Sequence, residues 1–117
     1  MEVTPSEPIK DPIGAGELLV SGDLVLDLPA HQAWAGRRPI HLSHLQFVLL
    51  TTLVRRAGKV VTLEELTSAA AGVSPLTART VSGAISRLRA NLGTGPQRPR
   101  IEVARRRGYR LVTPGCA

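Results

Sequence analysis

Residues 79–117 hold nine arginines and one acid, Glu102, for a net of +8. Residues 1–78 hold six basic and eight acidic side chains, a net of −2, so the +6 of the whole chain conceals a strongly cationic final third. All nine late cations are arginine, whose planar guanidinium pairs bidentately with phosphate or guanine where lysine offers only a point charge. Nucleic acid is the partner implied first; an anionic membrane or an acidic protein fits less well. The aromatics are limited to Trp34, Phe47 and Tyr109. Stacking on the bases of a single strand is therefore disfavoured, and a duplex is favoured.

Two elements must position these arginines. On a wheel of 3.6 residues per turn, Val81, Ile85, Leu88 and Leu92 form one apolar stripe. The opposite side presents Arg79, Gly83, Ser86, Arg87 and Ala90, with Thr80, Ser82 and Arg89 on its flanks. The spacing predicts a helix over 79–92, broken by Gly93, Gly95, Pro96 and Pro99. Beyond it, Ile101–Ala104 and Tyr109–Val112 are expected strands joined by Arg105-Arg106-Arg107-Gly108, a hairpin with an arginine tip.

The upstream half is the scaffold. Between Leu18 and Leu42, LLV, LVLDL, QAWA and PIHL alternate with turn signals, which predicts a small antiparallel sheet with Leu24, Leu26 and Leu28 on one face. Ser43-His44-Leu45-Gln46 is a capping box opening a heavily buried helix that contains Phe47 and that Gly58 stops. Thr62-Leu63-Glu64-Glu65 opens a short second helix to about Ala71, ended by Gly72. Trp34 is expected at the interface between sheet and helices. Residues 1–16, with Pro5, Pro8, Pro12, Gly14 and Gly16, are expected to be a flexible tail or linker, 17–113 one domain and 114–117 a second tail.

An N-terminal four-stranded antiparallel sheet, three helices and a C-terminal β-hairpin wing describe an α+β winged helix-turn-helix. Four stretches stand in series. They are Leu42-Ser43-His44-Leu45-Gln46-Phe47-Val48-Leu49-Leu50, Gly58-Lys59-Val60-Val61-Thr62-Leu63-Glu64-Glu65-Leu66, Arg79-Thr80-Val81-Ser82-Gly83-Ala84-Ile85-Ser86-Arg87-Leu88-Arg89 and Arg105-Arg106-Arg107-Gly108-Tyr109-Arg110-Leu111. In this order they resemble the OmpR/PhoB-type DNA-binding domain (the transcriptional regulatory protein C-terminal family), here without a receiver domain. The resemblance implies that helix 79–92 enters the major groove and wing 101–112 the adjacent minor groove, where arginine is attracted. Carried over by position, Arg79, Thr80, Arg87 and Arg89 contact phosphates or base edges, and Arg105 is the wing arginine. Ser82, Gly83, Ser86, Arg106 and Arg107 complete the candidate DNA-binding surface from their places on the same helix side and turn.

Three regions differ from the family pattern. Ser82, Gly83 and Ala84 are small where Asp, Val and His are frequent, which predicts low or wing-driven sequence specificity. Arg106 stands where the wing turn commonly has glycine. The loop AGVSPLTA, whose counterpart in activators meets RNA polymerase, carries no charge.

The function implied is that of a transcriptional regulator resembling a response-regulator effector domain. Its partner would be double-stranded DNA, with RNA polymerase or another regulator as a second. The expected state is a monomer alone, with dimerisation on DNA left open, and the expected location is cytoplasmic and nucleoid-associated. Two alternatives stand beside it, a winged helix used for protein–protein contact and a weakly specific architectural DNA binder. The bland alternative for the arginines is a solvated surface and, for Arg89, a carboxylate partner that buttresses the core. Tyr109 is expected to pack beneath the wing.

Other chemistry finds little support. His31, His41 and His44 lack a fourth ligand, and the lone Cys116 excludes an internal disulfide or a multi-cysteine zinc site, so no metal or cofactor is expected. No Ser-His-Asp order, paired carboxylates or phosphate-binding glycine loop is present, which argues against an enzyme. The apolar run Phe47–Val54 is too short to span a bilayer, and MEVTPSEPIKDP lacks the basic flank and apolar stretch of a signal peptide, so no membrane partner is expected.

Overall fold

The computed structural model describes residues 18–70 and 77–114. Strands β1 (Leu18–Ser21), β2 (Leu24–Asp27), β3 (Gln32–Ala35) and β4 (Arg38–Ile40) pair antiparallel in chain order. Leu24 lies opposite Ala35 and Leu26 opposite Ala33, and all four are buried on the inner face. The register places Val20, Val25, Trp34 and Pro39 in one row across the other face. Trp34 is therefore not at the interface between sheet and helices, contrary to expectation. Side chains alternate along a strand, so burying Ala33 and Ala35 forces Trp34 outward.

Helix α1 (His44–Arg55) opens on the expected capping box. The Ser43 hydroxyl oxygen accepts the Gln46 N–H at 3.1 Å, and Gln46 Oε1 accepts the Ser43 N–H at 3.3 Å. The helix buries Phe47, Leu49, Leu50, Leu53 and Val54, and ends before Gly58, whose N–H donates to the Leu111 carbonyl. Helix α2 (Leu63–Ala69) has the same box from Thr62 and Glu65 and ends two residues short of Ala71. The 71–76 stretch with Gly72 lies outside the described residues. So do residues 1–17 and 115–117, which include the expected N-terminal tail and Cys116.

Helix α3 (Ala78–Leu92) follows, and strands β5 (Val60–Thr62), β6 (Arg100–Ala104) and β7 (Gly108–Val112) form a second sheet in the order β5-β7-β6. The expected hairpin is present as β6–β7, and β5 is an addition to it. Three residues are too few to show a strand period; pairing of Val60, Val61 and Thr62 with Arg110, Tyr109 and Gly108 makes them a strand. Gly108 is required at this junction. Its φ is +149°, and a Cβ there would run into the Val61 carbonyl oxygen.

One arginine ties the two halves together. Arg98 donates from Nε and Nη2 to the two Asp23 carboxylate oxygens at 2.7 and 3.1 Å, and from Nη1 to the Leu92 carbonyl at 2.6 Å. Its side chain is only 11% exposed, and the hydrogen bond to Asp23 raises its pKa further against the opposing effect of burial. The C-terminus of α3 is thus fastened to the β1–β2 turn.

Replacing Gly108 with alanine should cost about 2–3 kcal/mol in urea unfolding, from steric conflict with β5 and an unfavourable φ. An unchanged midpoint would show that β5 yields freely. The α2 cap gives a pH dependence. Glu65 is held below the ordinary carboxylate range by the Thr62 backbone N–H first and by Arg56 second. A lowered folded-state pKa means stabilisation that is present at neutral pH and lost as pH falls through that pKa. Amide exchange in α2 should accelerate below about pH 5, and Glu65→Gln should flatten that acid response. The same acid response in the variant would contradict this role.

Candidate nucleic-acid interface

Thr77 caps α3, its hydroxyl oxygen accepting the Thr80 N–H at 3.1 Å, and the Thr80 hydroxyl lies 3.1 Å from the Thr77 hydroxyl. Val81, Ala84, Ile85, Leu88 and Leu92 are buried, and α3 packs on α1, α2 and β6. With that stripe inside, Arg79, Thr80, Gly83, Ser86, Arg87, Arg89 and Ala90 are all exposed. Ala84 belongs to the stripe and does not lie among the small groove-facing residues. A side chain at Gly83 would meet only open space, so packing does not enforce its smallness.

The two flanks of the helix are fastened differently. On the α1 side, Asn91 Nδ2 donates to Gln46 Oε1 at 3.1 Å. On the wing side, the Tyr109 hydroxyl donates to Ser82 Oγ at 3.2 Å. Ser82 is consequently half-buried and already engaged, unlike the open residues with which it was grouped. Tyr109 packs against the core as expected and adds a polar contact that its isolated place in the sequence does not reveal.

The wing turn carries Arg105, Arg106 and Arg107, all exposed, and is closed by the Arg107 N–H donating to the Ala104 carbonyl at 2.8 Å. Arg106 itself adopts the left-handed conformation, with φ +61°, where a glycine would be relaxed. The turn therefore forms despite the substitution.

Ion pairing then divides the nine late arginines. Arg98 is committed to Asp23, while Arg100 and Arg110 share Glu102 at 3.1 and 2.9 Å. The other six are Arg79, Arg87, Arg89, Arg105, Arg106 and Arg107. None of them has an ion-pair or side-chain hydrogen-bond partner among the described residues. The carboxylate buttress considered for Arg89 is thus not formed among these residues. Arg89 instead lines a cleft of about 430 Å³ between α3 and β6, with Arg100 and the half-exposed Val103. Like charges on adjacent elements repel one another, and a polyanion laid across them would relieve that repulsion.

Two of the histidines, His31 and His44, lie in ring contact. The His31 ring lies 4.7 Å from Phe47 and 5.1 Å from His44 between centroids. Among the described residues no group of three or more His, Cys, Asp or Glu is arranged to hold a metal ion. No helix among them is long and apolar enough to cross a membrane.

A four-stranded sheet, three helices with α2 and α3 as the helix-turn-helix pair, and a hairpin wing define a winged helix-turn-helix. Residues 37–111 match the family described as "Transcriptional regulatory protein, C terminal", and the chain belongs to that family. It is 30% identical to the DNA-binding domain of Klebsiella pneumoniae RstA, solved in complex with the RstA box, covering 82% of this chain and 97% of that one with a TM-score of 0.69. The DNA-binding domain of CpxR from E. coli is 28% identical, covering 84% and 98% of the two chains with a TM-score of 0.72. The DNA-binding response regulator MtrA of Mycolicibacterium smegmatis is 33% identical over 100 residues, which is 84% of this chain but 44% of MtrA. The chain thus spans less than half the length of that relative.

Replacing Arg106 with glycine should raise stability by about 1 kcal/mol by removing the left-handed strain, while weakening duplex binding through the lost cation. Urea unfolding and a binding titration on one preparation would separate the two effects. Movement of both in the same direction would contradict this account of the turn.

Proposed function

We propose that residues 17–113 form a domain that binds double-stranded DNA and serves as the DNA-reading part of a transcriptional regulator. The observation that carries this is the placement, on the outer side of α3 and the adjacent wing turn, of the six arginines that have no ion-pair partner among the described residues. Helix α3 would lie in the major groove, and the β6–β7 wing would reach the neighbouring minor groove. Family membership and the DNA complex of RstA support the assignment. The role is binding without catalysis, in the cytoplasm and on the nucleoid. The domain would be monomeric alone, with assembly on DNA and contact with RNA polymerase belonging to the whole regulator.

The candidate residues divide by reach. Arg79 and Arg87 flank Gly83 on the exposed side, and the short side chains of Gly83, Ser86 and Ala90 let the helix backbone approach the groove floor closely. Base readout would rest mainly on Arg79 and Arg87. Arg89, Arg105, Arg106 and Arg107 would supply phosphate and minor-groove contacts, while Thr80 would meet the backbone at the helix start.

Gel shift with random-sequence duplex at low salt, followed by selection of bound duplexes from the pool, tests the assignment. The expected result is a shift at submicromolar protein and a recoverable consensus. No shift at micromolar protein would favour docking to an acidic protein, and binding without a consensus would favour an architectural role. With the consensus in hand, Arg87→Ala should relax preference at one base pair by about 1–3 kcal/mol. Uniform weakening across all sequences would instead assign Arg87 to phosphate.

A further inference from the structure

Helix α3 and the hairpin meet largely through apolar packing, with Val81, Ile85, Leu88 and Leu92 on one side and Ile101, Tyr109 and Leu111 on the other belonging to one core. Such contacts are non-directional and tolerate small displacements. Among the described residues, one side-chain hydrogen bond joins α3 to the hairpin, from the Tyr109 hydroxyl to Ser82 Oγ. A hydrogen bond fixes both a distance and a direction.

The location of this bond matters. Tyr109 sits on the central strand β7, in register with Val61 of β5 and Val103 of β6, one residue from the wing turn that begins beyond Ala104 and Gly108. Ser82 lies in the second turn of α3, with Arg79, Ser86 and Arg89 on neighbouring positions of the same side. At the opposite end of the helix, Arg98 supplies the other anchor through the Leu92 carbonyl. The hairpin is therefore held at its base by the Arg98 loop and near its tip by the Tyr109–Ser82 pair.

We infer that Tyr109 is a positioning residue for DNA recognition, fixing through Ser82 the offset between helix α3 and the arginine wing. The inference rests on the DNA-binding assignment. A duplex binder that places one element in each of two adjacent grooves must hold them at the groove spacing before contact, because ordering them on binding costs affinity. Ser82 Oγ accepts from Tyr109 and keeps its own proton as a donor, so the pair leaves one hydroxyl donor available on the helix flank.

The test compares wild type, Tyr109→Phe, Ser82→Ala and the double variant. Three quantities are measured: thermal unfolding, the ratio of affinities for the selected duplex and random duplex, and amide exchange of residues 104–108 in the free protein. Each single removal of a hydroxyl should lower the affinity ratio about fivefold, and the double variant should lose no more than either single one. Wing exchange should quicken in Tyr109→Phe without DNA. Losses that multiply in the double variant would overturn the inference, since the two hydroxyls would then act separately. An unchanged ratio in Tyr109→Phe, with wild type still binding duplex, would overturn it and leave the DNA-binding assignment standing. Failure of wild type to bind any duplex would overturn that assignment and the inference with it, whereas the exchange comparison reports on the hydroxyl contact itself.

Discussion

The outer surface depends on the burial of a single stripe, Val81, Ala84, Ile85, Leu88 and Leu92, against the rest of the core. Each large apolar side chain so buried contributes about 1.5–3 kcal/mol. Turning α3 to expose the stripe would lose much of that and would bring Arg87 or Arg89 inward, where an unpaired charge costs several kcal/mol more. Both effects favour the same rotation, so the orientation of the cationic side follows from the apolar pattern. The Arg98 bridge to Asp23 and Leu92 then fixes the far end of the helix against the first sheet.

Within that frame the scaffold sorts its own charge. Glu102, the only acid after residue 78, holds Arg100 and Arg110, and Asp23 is drawn to Arg98 from the first sheet. The exposed pairs with Glu102 contribute little to stability, because water screens them and ordering the side chains has an entropic cost. Their consequence is local neutralisation. Cations on the outer side of α3 and at the wing tip have no such offset among the described residues, whereas Glu102 offsets one of the two charges along the hairpin strands. A net charge spread through the sequence thereby becomes a field concentrated at two adjacent elements.

Much of this is legible in the sequence. The stripe and the opposed arginines follow from a 3.6-residue period over fifteen residues, long enough to be unambiguous, and both capping boxes formed as their spacing required. Trp34, expected at the interface between sheet and helices, is turned to the other face by strand alternation, because Ala33 and Ala35 pair with the buried Leu26 and Leu24. Strand β5 was missed because three residues carry no period, and only their partner β7 makes them a strand. The Arg98–Asp23 and Tyr109–Ser82 contacts join residues far apart in sequence, where local pattern is silent. For Arg89 the sequence favours a DNA contact over a solvated surface or a carboxylate partner, and the fold shows no carboxylate paired with it among the described residues.

The proposed function divides the late arginines by ion pairing among the described residues, so that six would meet DNA and three would not. It is tested most directly by the salt dependence of duplex affinity in single Arg→Gln variants. Substitution at Arg79, Arg87, Arg89, Arg105, Arg106 or Arg107 should reduce the slope of log affinity against log salt by about 1 wherever the side chain meets a phosphate. Substitution at Arg100 or Arg110 should leave the slope near the wild-type value. Equal reductions at Arg100 and Arg110, or no reduction at any of the six, would contradict the account.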